Sequence, residues 1–317
     1  MTKLDKLIQE LCPDGVKYLP IPELFITRNG YTPSKANSEF WENGTIPWFR
    51  MEDIRENGRI LTTATQYVSE KAVKGKLFPA DSIIIATSAT IGEHALIKVP
   101  SLANQRFTYL TLKDEFKDCV DMMFVFYYCF RLDEYCKSHL NQGNFASVDM
   151  KQFAAFKFPV PPLPVQCEIV RILDNFTELT AELTARKQQY AYYRDKLLTF
   201  GDVRGGATSD VVWKTLAEIA DISTGSSNTD DAVKGGCYPF FVRSQQLLAK
   251  DEYEYDEEAI ITAGDGVGVG NVFHYINGKY ALHQRAYRIH PATDGLLGKY
   301  LYHYFVATFP KYIGQQM

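Results

Sequence analysis

Residues 159–200 read PVPPLPVQCEIVRILDNFTELTAELTARKQQYAYYRDKLLTF, and this stretch decides how the chain is organised. Pro161-Pro162-Leu163-Pro164 stops the preceding structure and presets the backbone for a first helical turn. A polyproline ligand is the competing reading of those prolines. From Val165, steps of four and three visit Ile169, Ile172, Phe176, Leu179, Leu183, Arg186, Tyr190, Tyr193, Leu197 and Phe200, and ten of these eleven positions are apolar or aromatic. A 3.5-residue period held for about five heptads is a coiled-coil seam rather than the face of an ordinary core helix. At 1.5 Å per residue, some 38 residues make a rod of roughly 57 Å. Gly201 and then Gly205-Gly206 end it.

Outward from this helix, the two flanks resemble each other. Val16–Gly30 (VKYLPIPELFITRNG) parallels Val211–Gly225 (VVWKTLAEIADISTG), sharing an aromatic at Tyr18/Trp213, an acid at Glu23/Glu218 and a glycine at Gly30/Gly225. Pro47-Trp48-Phe49-Arg50 then parallels Pro239-Phe240-Phe241-Val242-Arg243, with one inserted residue. Ser82–Gly92 parallels Ala259–Gly268, Ala103–Arg106 parallels Leu282–Arg285, and the aromatic run Phe124–Tyr128 parallels Tyr300–Tyr304. Five landmarks in one order indicate a duplication. Each copy reads as mixed α/β: strands at Asp81–Thr87, Phe107–Leu112, Ala259–Ala263 and Tyr287–His290, then an aromatic helix near 120–140 and 295–313. The expected fold is therefore α/β (α+β), with domains at 1–160 and 203–317 joined by a long helix at 161–202.

Composition excludes more than it selects. The chain has 317 residues, 46% apolar, with a net charge of -4. No apolar run reaches the ~18 residues of a membrane span, and the N-terminus does not read as a signal peptide; a cytoplasmic protein is expected. The six cysteines form no C-x-x-C pair, which removes zinc-ribbon and redox readings. Basic and acidic residues number 19 and 19 over 1–162, and 10 and 13 over 203–317. A nucleic-acid surface, if present, is local rather than a uniformly basic coat.

Two α/β copies around a PLPxQ start and a heptad helix resemble the specificity subunit of type I restriction–modification systems. Pro162-Leu163-Pro164-Val165-Gln166, Ala185-Arg186-Lys187-Gln188-Gln189-Tyr190 and Tyr193-Arg194-Asp195-Lys196-Leu197-Leu198 carry the likeness, which covers essentially the whole chain. The resemblance implies two target-recognition domains, each reading half of a split site in double-stranded DNA. Two antiparallel helices hold them apart and dock methyltransferase subunits, and a restriction (translocase) subunit joins. It implies no cofactor and no metal in this chain; S-adenosylmethionine belongs to the methyltransferase partner, ATP and Mg to the restriction subunit. The family pattern has a second PLPxQ and a second helix after the second repeat, whereas this sequence runs to Gly314-Gln315-Gln316-Met317. It is read as truncated: either a fragment or a short form that completes itself as a homodimer. In either case Ile169, Ile172, Phe176, Leu179, Leu183, Tyr190 and Leu197 are the expected helix-pairing residues.

The DNA-binding candidates follow from their chemistry. Glutamine pairs bidentately with adenine, and arginine with guanine or phosphate. This singles out Asn104-Gln105-Arg106 and His283-Gln284-Arg285, although residues kept in both repeats equally suit a structural role. Ser88 and Thr90 offer hydroxyls to phosphate from the loop 86–92. Gly264, Gly266, Gly268 and Gly270 of the stretch AGDGVGVG (263–270) permit close backbone approach or form a plain turn. Arg50 with Arg55 and Arg59, and Arg243 with Gln245, set cations beside aromatics. Asn141, Gln142 and Asn144 present amides from a polar loop.

No catalytic signature competes. The dinucleotide fingerprint fails at Val269 and Asn271, and Pro161-Pro162 follows Val160 rather than the Asn or Asp of an amino-methyltransferase. Asp81 with Glu115 and Lys117 is a weak nuclease pattern. The alternatives to DNA recognition are a coiled-coil scaffold that binds only protein, or an enzyme with an unfamiliar site.

Overall fold

The computed structural model describes residues 1–141, 146–198 and 211–314. The chain divides into two compact units, Met1–Ala181 and Glu182–Met317, and the division falls inside the long helix Leu163–Leu198.

The first unit is built on the five-stranded sheet whose centre is Ser82–Ala86, a β-branched run with every residue buried. Its neighbours are Phe107–Leu112 and His94–Ile97, both antiparallel to it, and Phe25–Asn29 pairs on the far side of Phe107–Leu112. The two-residue period of a strand divides its side chains between two cores. Ile83 and Ile85 pack with Val125, Phe126, Cys129 and Leu132 of the helix Met122–Ser138, while Ile84 and Ala86 join Trp48, Phe49 and Tyr109 on the other face.

The second unit repeats this order. Ala220–Thr224, Ala286–Pro291, Tyr255–Ala263 and Phe273–Leu282 are neighbours in the same sequence, again antiparallel, with the helix Gly298–Gly314 supplying Leu301 and Phe305 to the core beside Ile260. A short parallel pairing also recurs. Phe49 of Ile46–Phe49 lies opposite Ala103 of Leu102–Ala103, and Phe241 of Tyr238–Phe241 lies opposite Leu282. The duplication read from sequence landmarks is thus a duplication of topology and register. One difference between the copies lies at a joint: Phe273–Leu282 is continuous, so the second unit forms one six-stranded sheet. In the first unit Lys98–Ser101, with Pro100, separates the two equivalent strands and leaves sheets of five and three.

The shared glycines now have a cause. A Cβ on Gly30 would lie 2.3 Å from the Asn104 carbonyl oxygen, and one on Gly225 would lie 1.9 Å from that of Leu282. The backbone passes too close at both places for any side chain.

The PLPxQ glutamine is a fastener. Gln166 is fully buried; its side-chain nitrogen donates to the carbonyls of Cys119 (2.8 Å) and Pro161 (2.6 Å), and its oxygen accepts from the Asp121 N–H (2.9 Å). Two residues on, Glu168 binds Arg171 of its own helix (2.6 Å) and Lys3 of the amino-terminal helix Lys3–Leu11 (2.7 Å). Hydrogen bonds from Arg171 and then Lys3 hold its carboxyl down at about 2, against an ordinary 4.5. A depressed carboxylate contributes stability that is fully present above its unfolded value and is lost as pH falls through its folded one. Protection of amides in Lys3–Leu11 against hydrogen exchange is therefore expected to fall between pH 4.5 and 2, and Glu168→Gln should remove that acid limb; an unchanged limb in the variant would refute the pairing.

Beyond this anchor the apolar seam is uncovered. Ile169 and Ile172 are half-buried, but Phe176 is 64% exposed, Leu183 55% and Leu197 69%. In the amino-terminal helix Leu4 and Leu7 are half-buried, while Ile8 and Leu11 are exposed. Phe200 and the glycines at 201, 205 and 206 lie outside the described residues.

Candidate nucleic-acid interface

Each unit brings four chain segments to one end of its sheet. In the first they are Gly30–Thr32, Arg50, Thr87–Gly92 and Asn104–Arg106; in the second, Gly225–Asn228, Arg243, Gly264–Gly270 and His283–Arg285. Main-chain hydrogen bonds tie them together in the same way. Asn104 N–H donates to the Phe49 carbonyl (3.0 Å), Tyr31 N–H to Ala103 (2.7 Å) and Thr87 N–H to Arg106 (2.9 Å). Their counterparts are His283 to Phe241 (2.9 Å), Ser227 to Leu282 (3.2 Å) and Gly264 to Arg285 (2.9 Å). Ala89 (φ 64°) and Gly266 (φ 71°) occupy the same left-handed position in the two loops, a strained one for alanine.

Within each triplet, the first residue braces the turn and the next two face outward. Asn104 Oδ1 accepts the Arg106 N–H (2.9 Å), and His283 Nδ1 accepts the Arg285 N–H (3.0 Å). Burial, then the nearby Arg243 and Arg285, push the His283 imidazole below its ordinary value, which suits a neutral acceptor. His283 is buried and Asn104 half-buried, so their side chains belong to the turn; Gln105, Arg106, Gln284 and Arg285 are exposed. Among the described residues each glutamine is held at one end: Gln105 Oε1 accepts from the Thr32 hydroxyl, and Gln284 Nε2 donates to Asn228 Oδ1. Both side chains are otherwise exposed.

The arginines differ between the copies. Among the described residues Arg106 makes no ion pair. Arg243 and Arg285 share Asp265, at 2.6 and 3.5 Å. Hydrogen bonding from Arg243 is the main influence holding the Asp265 carboxyl below the usual carboxylate range. The glycine loop after Ala263 touches its own unit at Gly264 and Gly268, while Val267 at its tip is exposed. A Cβ at Gly268 would meet the Arg243 carbonyl at 2.6 Å, and one at Gly264 the Arg285 carbonyl at 2.8 Å.

The other candidates are placed as follows. Arg50 is half-buried over Trp48 and donates to Thr65 Oγ1 (2.9 Å), which turns it toward its own unit. Arg55 is exposed in the last turn of the helix Met51–Asn57. Ser88 and Thr90 are half-buried, with Ser88 bridged to Ser147, and Asn141 spends its amide on Ser147 Oγ (3.2 Å) and the Val148 carbonyl (3.1 Å). Gln245 donates to the Asn271 carbonyl (2.9 Å) from an exposed position. Gln142 and Asn144, like Gln315 and Gln316, lie outside the described residues. Arg59 does not track a surface: it donates to the His94 carbonyl (3.0 Å) and lies 3.6 Å from Asp133. His94 and Asp133 are themselves a buried pair at 2.7 Å, with burial raising the Asp133 carboxyl against the pull of His94. At 0% and 3% exposure they join helix Met122–Ser138 to the sheet.

Both units thus present an edge with exposed glutamine and arginine, side chains whose donors and acceptors match those of base edges and phosphates. The family model described as type I restriction modification DNA specificity domain matches residues 13–190 and 208–316. The chain belongs to that family, whose members are DNA-recognition subunits rather than enzymes. It is 48% identical over 297 residues to the specificity subunit of the type I restriction enzyme EcoprrI of Escherichia coli, a match covering 86% of this chain and 71% of that protein. The EcoR124I/EcoR124II specificity subunit of the same organism is 35% identical over 201 residues, 58% of this chain and 48% of that one. The chain therefore spans about seven tenths of the first relative and about half of the second. A type I restriction–modification S subunit from M. genitalium has the same fold, with a TM-score of 0.63 at 15% identity, over 96% of this chain and 79% of that one.

Three residues of the edge were not singled out from sequence: Thr32, Asn228 and Asp265. Thr32 and Asn228 stand two and three residues after the shared glycines Gly30 and Gly225, a position that would have marked them. Asp265 sits between Gly264 and Gly266 and reads as turn punctuation; only the fold brings it to arginines 22 residues before it and 20 after.

Proposed function

We propose that each unit reads one half of a bipartite site in double-stranded DNA through this edge, with Gln105 and Arg106 in the first unit and Gln284 and Arg285 in the second as the contacting side chains. One observation carries the reading. Two repeats with divergent loops keep the same four-segment scaffold and the same bracing bond, and on it both hold outward a Gln-Arg pair. Base contacts select the sequence, while phosphate contacts orient the protein and make affinity salt-dependent. The chain would act by placing a methyltransferase, which supplies S-adenosylmethionine, on the selected site, with a restriction subunit using ATP and Mg as a further partner in the cytoplasm.

Arg106→Ala and Arg285→Ala are each expected to weaken retention of DNA in a gel. If the lost contact is to phosphate, affinity falls for every sequence and the slope of log K against log salt drops by about one unit. If it is to guanine, the loss is about 1–3 kcal/mol at one base position. Unaltered affinity, salt slope and selected sequence in both variants would overturn the assignment.

The exposed seam Phe176–Leu197 is proposed to pair with another heptad helix, and a second copy of this chain is the occupant we favour, because the pattern is complementary to itself. A scaffold that binds only protein would share the seam but would ignore a pool of random duplexes.

A further inference from the structure

The two recognition edges are alike in backbone and unlike in charge. Ala263 aligns with Ala86 and the left-handed Gly266 with Ala89, so Asp265 of the second unit occupies the place of Ser88 in the first. That single exchange puts a carboxylate among the arginines of one edge. Its side chain is 44% exposed, so it is not a buried structural partner. Arg243 is bonded to it firmly at 2.6 Å and Arg285 only at the limit, 3.5 Å, and Arg285 is the more exposed of the two, 59% against 40%. Arg243 is further fixed because its carbonyl packs against Gly268. The arrangement is one anchored arginine, one carboxylate and one oriented arginine with donors to spare. Arg243 and Asp265 also line an open depression of about 360 Å³, beside Thr229 and Gly266.

A carboxylate at an edge that meets DNA is a liability if the edge binds only phosphate, since it repels the backbone and halves the local positive charge. It is useful where the partner offers a hydrogen-bond donor. In the major groove the donors are the amino groups of cytosine and adenine, while guanine offers the paired O6 and N7 acceptors that suit arginine. One base pair presents both across its width: G·C. We propose that Asp265 is the specificity-determining residue of the second unit, accepting from a cytosine 4-amino group while Arg285 donates to O6 and N7 of its guanine. The proposal rests on the reading that this edge faces DNA. The flanking arginines keep Asp265 ionised at neutral pH, as an acceptor must be.

The test is selection by the full chain, with the methyltransferase of its host added, from a pool of randomised duplexes, followed by sequencing. The wild-type chain should enrich one half-site containing an invariant G·C pair. Asp265→Asn should relax that pair by about ten- to a hundredfold. It should leave the other half-site unchanged and hold unrelated duplexes as well as or better than the wild type. The same motif at the same strength with Asp265→Asn would overturn the proposal, as would a wild-type half-site with no invariant G·C. Arg285→Ala separates the two levels of failure. If it weakens retention while Asp265→Asn changes nothing, the edge faces DNA and only the role of Asp265 is wrong. If neither variant alters retention or motif, the edge itself has been misassigned. Asp265 lies in an exposed loop, and an unchanged thermal unfolding profile would exclude misfolding of its variant.

Discussion

A chain carrying Leu183→Asp is expected to lose self-association at least a hundredfold, and Phe176→Asp to do the same. These residues are 55% and 64% exposed, and each lies on the uncovered part of the seam, so neither substitution removes packing from its own unit. In a paired seam the aspartate becomes a buried, unpartnered charge, worth about 3 kcal/mol or more, which is about a hundredfold in association. Sedimentation at micromolar concentration measures the association, and capture of the host methyltransferase reads whether the same pairing supports docking. Unchanged sedimentation and capture in both variants would show that the seam pairs with nothing. A uniform monomer of the wild-type chain would remove the second copy as its occupant.

The second large effect is on stability. Asp133→Ala should destabilise the first unit by about 1–3 kcal/mol, because it takes the hydrogen-bond partner from a buried imidazole. His94 would be left with a bare Nδ1, and its Nε2 already lacks a hydrogen-bond partner among the described residues. Arg59 would lose its carboxylate as well. Hydrogen exchange resolved by segment is the measurement: protection should collapse in Met122–Ser138 and His94–Ile97, while Tyr255–Ala263 of the second unit keeps its own. A change under about 1 kcal/mol would mean that the pair is dispensable.

What the sequence disclosed follows from what is local in it. A heptad seam repeats every few residues, so the helix Leu163–Leu198 was legible from Ile169, Phe176 and Leu183 alone. The duplication was legible because landmarks such as Gly30 and Gly225 stand at backbone crossings that tolerate no side chain, so they survive where loop residues drift. Side-chain roles were less legible. His283 and Gln284 are neighbours of similar polarity, yet one turns inward to brace a turn and the other outward; that choice depends on the strand register with Phe241, far away in the chain. Arg59 looked like a surface cation because its acid, Asp133, is 74 residues further along. Asp265 escaped notice for the same reason, since an acid between glycines acquires meaning only when Arg243 and Arg285 close around it. Local periodicity carries the architecture, and long-range pairing carries the site.

The central claim is that two equivalent edges read two halves of one site. Sequencing the methylated bases of a strain that expresses the full chain with its methyltransferase, as wild type and as Arg106→Ala and Arg285→Ala, tests it most directly. The expected result is a bipartite motif with a nonspecific spacer of fixed length, in which Arg106→Ala degrades one half only and Arg285→Ala the other half only. A single continuous motif, or both substitutions degrading the same half, would contradict it.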